Sequence, residues 1–469
     1  MRSIIKISFL FILLTNISAC NKFLDKLDNP NLVQDPPLDG LLATVTLKTG
    51  TNVYSLGDVT SYYTQYLASN SSGSDADIYN EVDYSTTWTN FYTAMSNLKQ
   101  LADKAAVQNS PHHQGIAKIL LGFNINLLTN TFGDVPYSQA LEGLNLLVPA
   151  FDDQATLYTT SLNLLDEGIA DLEKDGNGFE IDSRSDLIHH GDTDAWIKTA
   201  YALKARYLNQ VSKSAEYSTT EILAALDKAY TSNDDDAMLT AFEGLSPWNE
   251  AAVNNANLNL DGWLSTQFVD ALNGTTFGVM DPRLPRIASI TKFGDYRGTP
   301  NGEGRIGSGT NEEESYLSLD GFYSAAGAPL LMITNAETEF IRAEASFRND
   351  DLPGAYAAYI AGITAHMTKL GVAESDMDAY LANPAVGVGA SNITLDLIFK
   401  EKYVVMFLNP EAWVDARRFD YKYKDFELPT GASLDDFIRR LAYPSVETSR
   451  NGANVPEVNS LKERLRFDE

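Results

Sequence analysis

The chain has 469 residues, 35 basic against 63 acidic, for a net charge of −28, and a single cysteine. One thiol closes no intramolecular disulfide and builds no tetrathiolate metal framework. So acidic a chain is repelled by phosphate backbones, and no Lys/Arg-rich stripe offsets the repulsion, which argues against nucleic acid as a partner. Apolar residues make up 44% of the chain, enough for a substantial core, and tyrosine leads an aromatic share of 10%.

The N-terminus places Arg2 and Lys6 before the apolar run ISFLFILL and then small residues, the order of a secretory signal peptide. That run is shorter than the roughly 20 residues a spanning helix needs. It ends at Ile17, Ser18, Ala19 and Cys20, a string that resembles a bacterial lipobox. The resemblance implies cleavage before Cys20 and acylation of it; the alternative is an ordinary signal peptide with a chance cysteine. Two or more acyl chains anchor a protein stably where one binds marginally. Residues 1–19 are therefore expected to be a signal peptide. Residues 20–40, with prolines at 30, 36 and 37, are expected to be a semi-rigid tether to the membrane.

Helical patterning dominates from residue 41. DYSTTWTNFYTAMSNLKQLADKAAV sets Trp88, Phe91, Tyr92, Met95 and Leu98 three and four apart. HHQGIAKILLGFNINLLTNTFG, DQATLYTTSLNLLDEGIADLEK, DAWIKTAYALKARYLNQVSK and TTEILAALDKAYTS follow, most of them three or more turns long. Between about 238 and 329 the chain turns to Gly, Asn, Pro and aromatic residues with little period, a stretch too long for a simple connector and expected to face a ligand. Helical pattern returns in NAETEFIRAEASFR, GAYAAYIAGITAHMTKLG and TLDLIFKEKYVVMFLNPEAWVDARRF. Ala343, Leu352, Ala355, Tyr359 and Gly362 fall where a tetratricopeptide unit puts its packing residues, and Trp196, Ala200 and Leu203 repeat the theme. The fold class expected is mainly all-α: a tetratricopeptide-like scaffold of helical hairpins with long irregular loops and minor β, as one body over residues 41–469.

Catalytic and metal signatures are missing. Gly302, Gly304 and Gly307 spell G-x-G-x-x-G, but no strand precedes them and no apolar helix follows. DLEKDGNGFEID fails as an EF-hand in either register. The histidine pairs 112/113 and 189/190 are adjacent in sequence and do not readily share one metal. A glycosidase carboxylate pair has no short signature and stays open. Arg417/Arg418 and Arg439/Arg440 are expected to bond buried carboxylates as internal struts. In TFGDVPYSQAL, Gly133 ends a helix, Asp134 caps or turns, and Pro136 blocks continuation.

LLTNTFGDVPYSQAL, GDTDAWIKTAYALKARYLNQ, MDPRLP, NAETEFIRAEASF, EKYVVMFLNPEAWVDARRF and RRLAYPSVE, in that order, resemble the SusD/RagB-like proteins, most closely their SusD-like branch 2. These are nutrient-binding lipoproteins of the outer membrane. The resemblance implies a cell-surface lipoprotein, anchored through Cys20, that binds an oligosaccharide and delivers it as a lid to a SusC-like TonB-dependent outer-membrane transporter. It implies neither enzyme activity nor a cofactor or metal. A glycoside hydrolase, a peptide-binding relative and a passive helical scaffold are the rivals. Sugars are held by aromatic faces with Asn, Asp and Arg bonding hydroxyls. Candidate ligand residues are Tyr79, Tyr84, Trp88, Asn90, Trp248, Asn254, Tyr296 and Tyr323. Trp88 also fits a core position by its spacing, whereas Trp248 and Tyr79 lie in polar, aperiodic stretches.

Overall fold

A computed structural model describes residues 35–257, 262–307 and 312–469. The signal peptide, Cys20 and most of the tether lie outside the described residues. Fifteen α-helices and two small antiparallel sheets are present among those described, so the mainly α architecture expected from sequence is what forms. The first four long helices are α1 (Leu38–Tyr63), α2 (Ser85–Gln108), α3 (Pro111–Phe132) and α4 (Gln154–Leu172). They pack in sequential pairs, α3 with α4 most extensively, and α5 (Thr193–Gln210) and α6 (Thr219–Leu226) continue the array. No helix among the described residues is long and apolar enough to cross a membrane.

Each boundary has a local cause. Asp153, Asp192 and Ser218 accept from the backbone N–H of Thr156, Ala195 and Glu221, satisfying donors that a helix start leaves without partners. Gly133 closes α3 at φ 88°, and Asp134 Oδ1 takes the Gln154 N–H at 2.9 Å, so that turn also starts α4.

The hairpin read from its small residues forms as α10 (Asn335–Arg348) and α11 (Leu352–Lys369), capped by Thr334 and Asp351. Ala343, Ala355 and Tyr359 are fully buried in it. A Cβ on Gly362 would stand 2.5 Å from the Phe340 ring, so the missing side chain sets how closely the two helices approach.

The stretch 238–329 departs from expectation by being more ordered than its composition suggested. It holds α7 (Pro247–Ala256), α8 (Thr266–Leu272) and the short α9 (Leu284–Ile287). It also supplies β3 (Trp263–Leu264), which pairs with β1 (Leu67–Ala68), while β2 (Ala237–Leu239) pairs with β4 (Leu330–Ile333). Together these build a second core in which Trp248, Leu264, Phe268, Leu272 and Leu284 meet Tyr403 and Phe407. Between α9 and β4 the chain is irregular but tied by backbone bonds.

Buried arginines knit the layers. Arg206 grips Glu337 through two bonds of 2.6 Å, and Arg418, on α14 (Glu411–Arg418), holds Glu344 at 2.6 and 2.8 Å and Asp415 at 2.8 Å. Arg439 pairs with Asp468 at 2.6 Å. Arg440 reaches Glu463 at 3.9 Å, whereas Arg417 is a strut of another kind. Arg417 donates to the carbonyls of Asn130 and Arg439 and lies 3.7 Å over Trp413, while Arg440 donates to the Phe132 carbonyl at 2.5 Å. Without a carboxylate partner, burial lowers the Arg417 guanidinium to about 10.

Candidate functional site

The eight candidate residues fall into two groups. Tyr79, Trp88, Trp248 and Tyr323 are 1%, 3%, 4% and 2% exposed, and a ring so covered has no face for a sugar. Tyr79 packs edge-on against Tyr63, Trp88 against Phe132, and Trp248 against Tyr54 at 4.8 Å. The Tyr323 hydroxyl is bonded to His366 Nε2 at 2.7 Å. These four are corrected to core. Trp248 belongs there because Pro247 starts a helix whose Trp248, Ala251, Ala252 and Asn255 share one buried face. Tyr84, half-buried, meets the Tyr63 hydroxyl at 3.1 Å, and burial pushes its own hydroxyl up to about 12. Asn90 is exposed on α2, Asn254 is half-buried on α7, and Tyr296 is half-buried in the irregular stretch. The recorded contacts bring the eight to several places, not one.

A different set converges where the loop 69–84 meets the segment 288–317. Asp77 is the tie between them. Its carboxylate, fully buried, accepts from Asn301 Nδ2 and the Gly302 N–H at 2.6 Å each and from the Ser69 N–H at 3.3 Å. Dry surroundings push its pKa up against those bonds. The glycine motif has its use here. Gly302 and Gly304 sit at φ 84° and 76°, and a Cβ on either would lie 2.0 Å from the Thr430 carbonyl oxygen or 2.5 Å from the Ser72 nitrogen. The Gly73 N–H then bonds the Gly302 carbonyl, and the Arg305 N–H the Asn70 carbonyl, both at 3.0 Å. Thr430 joins a third segment through its N–H to the Asn301 carbonyl.

From this base, 288–317 doubles back on itself: Ala288 bridges Leu317, and Ser289, Lys292 and Ser315 bond the backbone of Tyr316, Glu312 and Arg297. The ladder holds Phe293 outward, 53% exposed. The Arg297 guanidinium stands 4.3 Å from that ring's centroid and the Lys292 ammonium 5.1 Å. Asp295 fixes Arg297 through bonds of 2.7 to 3.0 Å to Nε and Nη2, and the same bonds hold the Asp295 carboxyl below its usual range. Arg297 Nη1 has no acceptor among the described residues. Trp263 is 1% exposed, with Arg305 over its face at 4.2 Å and Tyr316 edge-on at 5.2 Å. The arrangement offers an exposed ring with a positioned guanidinium and carboxylate beside it. An apolar ring face with oriented hydrogen-bonding groups beside it is what a saccharide needs.

Sequence reading found Tyr296, next to this cluster, but missed Phe293, Arg297 and Asp77. The string TKFGDYR carries a signal for two of them, since an aromatic residue flanked by Lys and Arg in a turn-rich stretch has nothing to bury it. Asp77 has no local signal, because its two shortest bonds come from Asn301 and Gly302, more than 220 residues away. Among the described residues, no three His, Cys, Asp or Glu side chains form a group able to hold a metal ion.

Residues 30–444 match a family model, SusD-like branch 2, described as starch-binding and associating with the outer membrane. No curated protein sequence matches the chain. Among solved structures, the chain is similar to a SusD/RagB family protein from Bacteroides thetaiotaomicron at 22% identity and a TM-score of 0.76, over 92% of this chain and 99% of that one. A chitin-binding SusD homologue from Flavobacterium johnsoniae aligns at 20% identity and 0.76, over 91% and 98%. A SusD homologue from Bacteroides fragilis aligns at 20% and 0.75, over 93% and 100%. At such identities the likeness concerns the fold.

Proposed function

The chain belongs to the SusD-like family, and from that premise we propose that it binds an oligosaccharide at the Phe293–Arg297 loop face and hands it to a TonB-dependent transporter of the outer membrane. Cys20 carries the lipid anchor in this reading, and the helical body sits as a lid over the transporter on the cell surface. The protein binds and releases its ligand without turning it over. The observation that carries the reading is the exposed Phe293 ring with Arg297 and Asp295 locked beside it on a braced ladder. The family description names starch, and one similar structure is that of a chitin-binding protein, so starch and chitin oligosaccharides are the first ligands to try. Stacking on one ring contributes about 0.5–1.5 kcal/mol, so Phe293→Ala should weaken binding by up to about tenfold while leaving the melting temperature near wild type. Calorimetry against both glycan series tests this. Unchanged affinity in a folded Phe293→Ala, Arg297→Ala double variant would remove the loop face as the site. Cleavage of the glycan would remove the binding-only reading.

A further inference from the structure

A cavity of about 290 Å³ opens between α8, α13 (Leu395–Val405) and the segment that follows α14. Its walls are aromatic. Tyr403 and Tyr423 lie 4.9 Å apart, Phe419 is 5.2 Å from Tyr423, and Phe277 completes the aromatic lining. Three lysines line it, Lys400, Lys422 and Lys424, against one carboxylate, Asp396.

The lysines differ in what already holds them. Lys400 is committed to buried Glu401 and to the Tyr380 hydroxyl at 2.8 Å. Lys422 has only Asp420, at 3.8 Å, and Asp420 is oversubscribed: Lys213 reaches it at 3.0 Å, Arg464 at 2.7 Å and Arg439 at 3.4 Å. Lys424 donates to the Thr276 carbonyl at 2.6 Å and forms no ion pair among the described residues. The Nζ atoms of Lys400 and Lys424 stand 5.0 and 5.6 Å from the Phe277 centroid, so both ammonium groups lie close to this ring. Lys422 and Lys424 are therefore the two lining ammonium groups without a carboxylate of their own, and such groups at the rim of a low-dielectric aromatic pocket favour an anion. The volume, at the small end of ligand sites, admits one sugar-sized ring and no chain of them. Gln267 and Asp396 add hydrogen-bonding groups suited to hydroxyls.

We propose that this cavity binds a single sugar acid, its apolar ring face against Phe277 and Tyr423 and its carboxylate between Lys422 and Lys424. The site is separate from the loop face and does not rest on the reading given above for it. The test uses the full protein and sodium glucuronate at about 10 mM, above the millimolar dissociation constants usual for fragment-sized ligands. Glucose is the neutral counterpart, and ligand-observed saturation-transfer NMR and calorimetry are the readouts. Glucuronate should bind at least about tenfold more tightly than glucose, and tightness should fall as salt rises. Lys424→Gln, a change at an exposed position, should weaken glucuronate about tenfold, Phe277→Ala should weaken it similarly, and Arg297→Ala at the loop face should leave it unchanged. No transfer from glucuronate, equal affinity for glucose, or indifference to both Lys424→Gln and Phe277→Ala would each overturn the assignment.

Discussion

Asp77→Ala should separate the bracing of the loop face from the rest of the fold. The carboxylate is fully buried and takes three donors, two of them, Asn301 Nδ2 and the Gly302 N–H, at 2.6 Å. Truncation leaves these two donors dry and without partners, at about 1–3 kcal/mol each. The raised pKa shows that burying the carboxylate already has a cost, so part of the loss is returned when it is removed. The net expected is a destabilisation of about 3 kcal/mol, with Asp77→Asn near half of that because its amide oxygen still accepts one donor. Urea titration gives the free energies, and hydrogen exchange locates the change. Amides in 69–80 and 297–307 should lose protection while those of α10 and α11 keep it. A loss below about 1 kcal/mol, or protection unchanged at the Gly302 and Gly73 amides, would refute the bracing argument.

Trp248→Ala should destabilise the protein by about 3–5 kcal/mol, as a buried aromatic ring does, and any loss of glycan binding should follow unfolding; near-native melting would return Trp248 to the list of ligand residues. Cys20→Ala should yield a soluble or unprocessed form without lipid label, and labelling that persists would sink the anchor assignment. Glu411→Gln should reveal a pH dependence: burial raises the Glu411 carboxyl to about 7, above its unfolded value, so its contribution is fully present below about pH 4.5 and is lost as pH rises through 7. Across that window the wild type should lose about 3 kcal/mol relative to the glutamine variant, and parallel stability curves for the two proteins would contradict it.

The helical architecture was legible because its determinants are local. Ala355 and Tyr359 sit four apart on α11, a spacing that a helix brings onto one face, and Trp196, Ala200 and Leu203 do the same on α5. Trp248 was misread although its local signal existed: the buried positions 248, 251, 252 and 255 are helical, but Asn and Glu between them masked a face only four residues wide. Tyr79 had no such signal. It lies in a loop at φ 65°, edge-on against Tyr63 and held through its carbonyl by Ser433, while Asp77, two residues before it, ties the same loop to Asn301 and Gly302. A loop residue's exposure depends on partners hundreds of positions away, and no window along the chain contains them.

The charge balance, which first spoke against nucleic acid, says more once the partners are placed. Arg206, Arg283, Arg417, Arg418, Arg439 and Arg440 are all buried, so much of the positive charge is spent inside on Glu337, Glu344, Glu401, Asp281 and Asp468 or on carbonyls. Most exposed basic residues then answer a nearby acid, as Lys99 does Asp103 and Lys462 does Asp435. Against that background, an exposed cation set beside an aromatic ring stands out. Arg297 over Phe293 and Lys424 beside Phe277 are two such places. Folding alone does not require either pairing, since each is solvent-facing and contributes at most about 1 kcal/mol. A ligand that brings an apolar face together with hydroxyls or a carboxylate gives both a use, and for that reason the two sites are to be tested with different sugars.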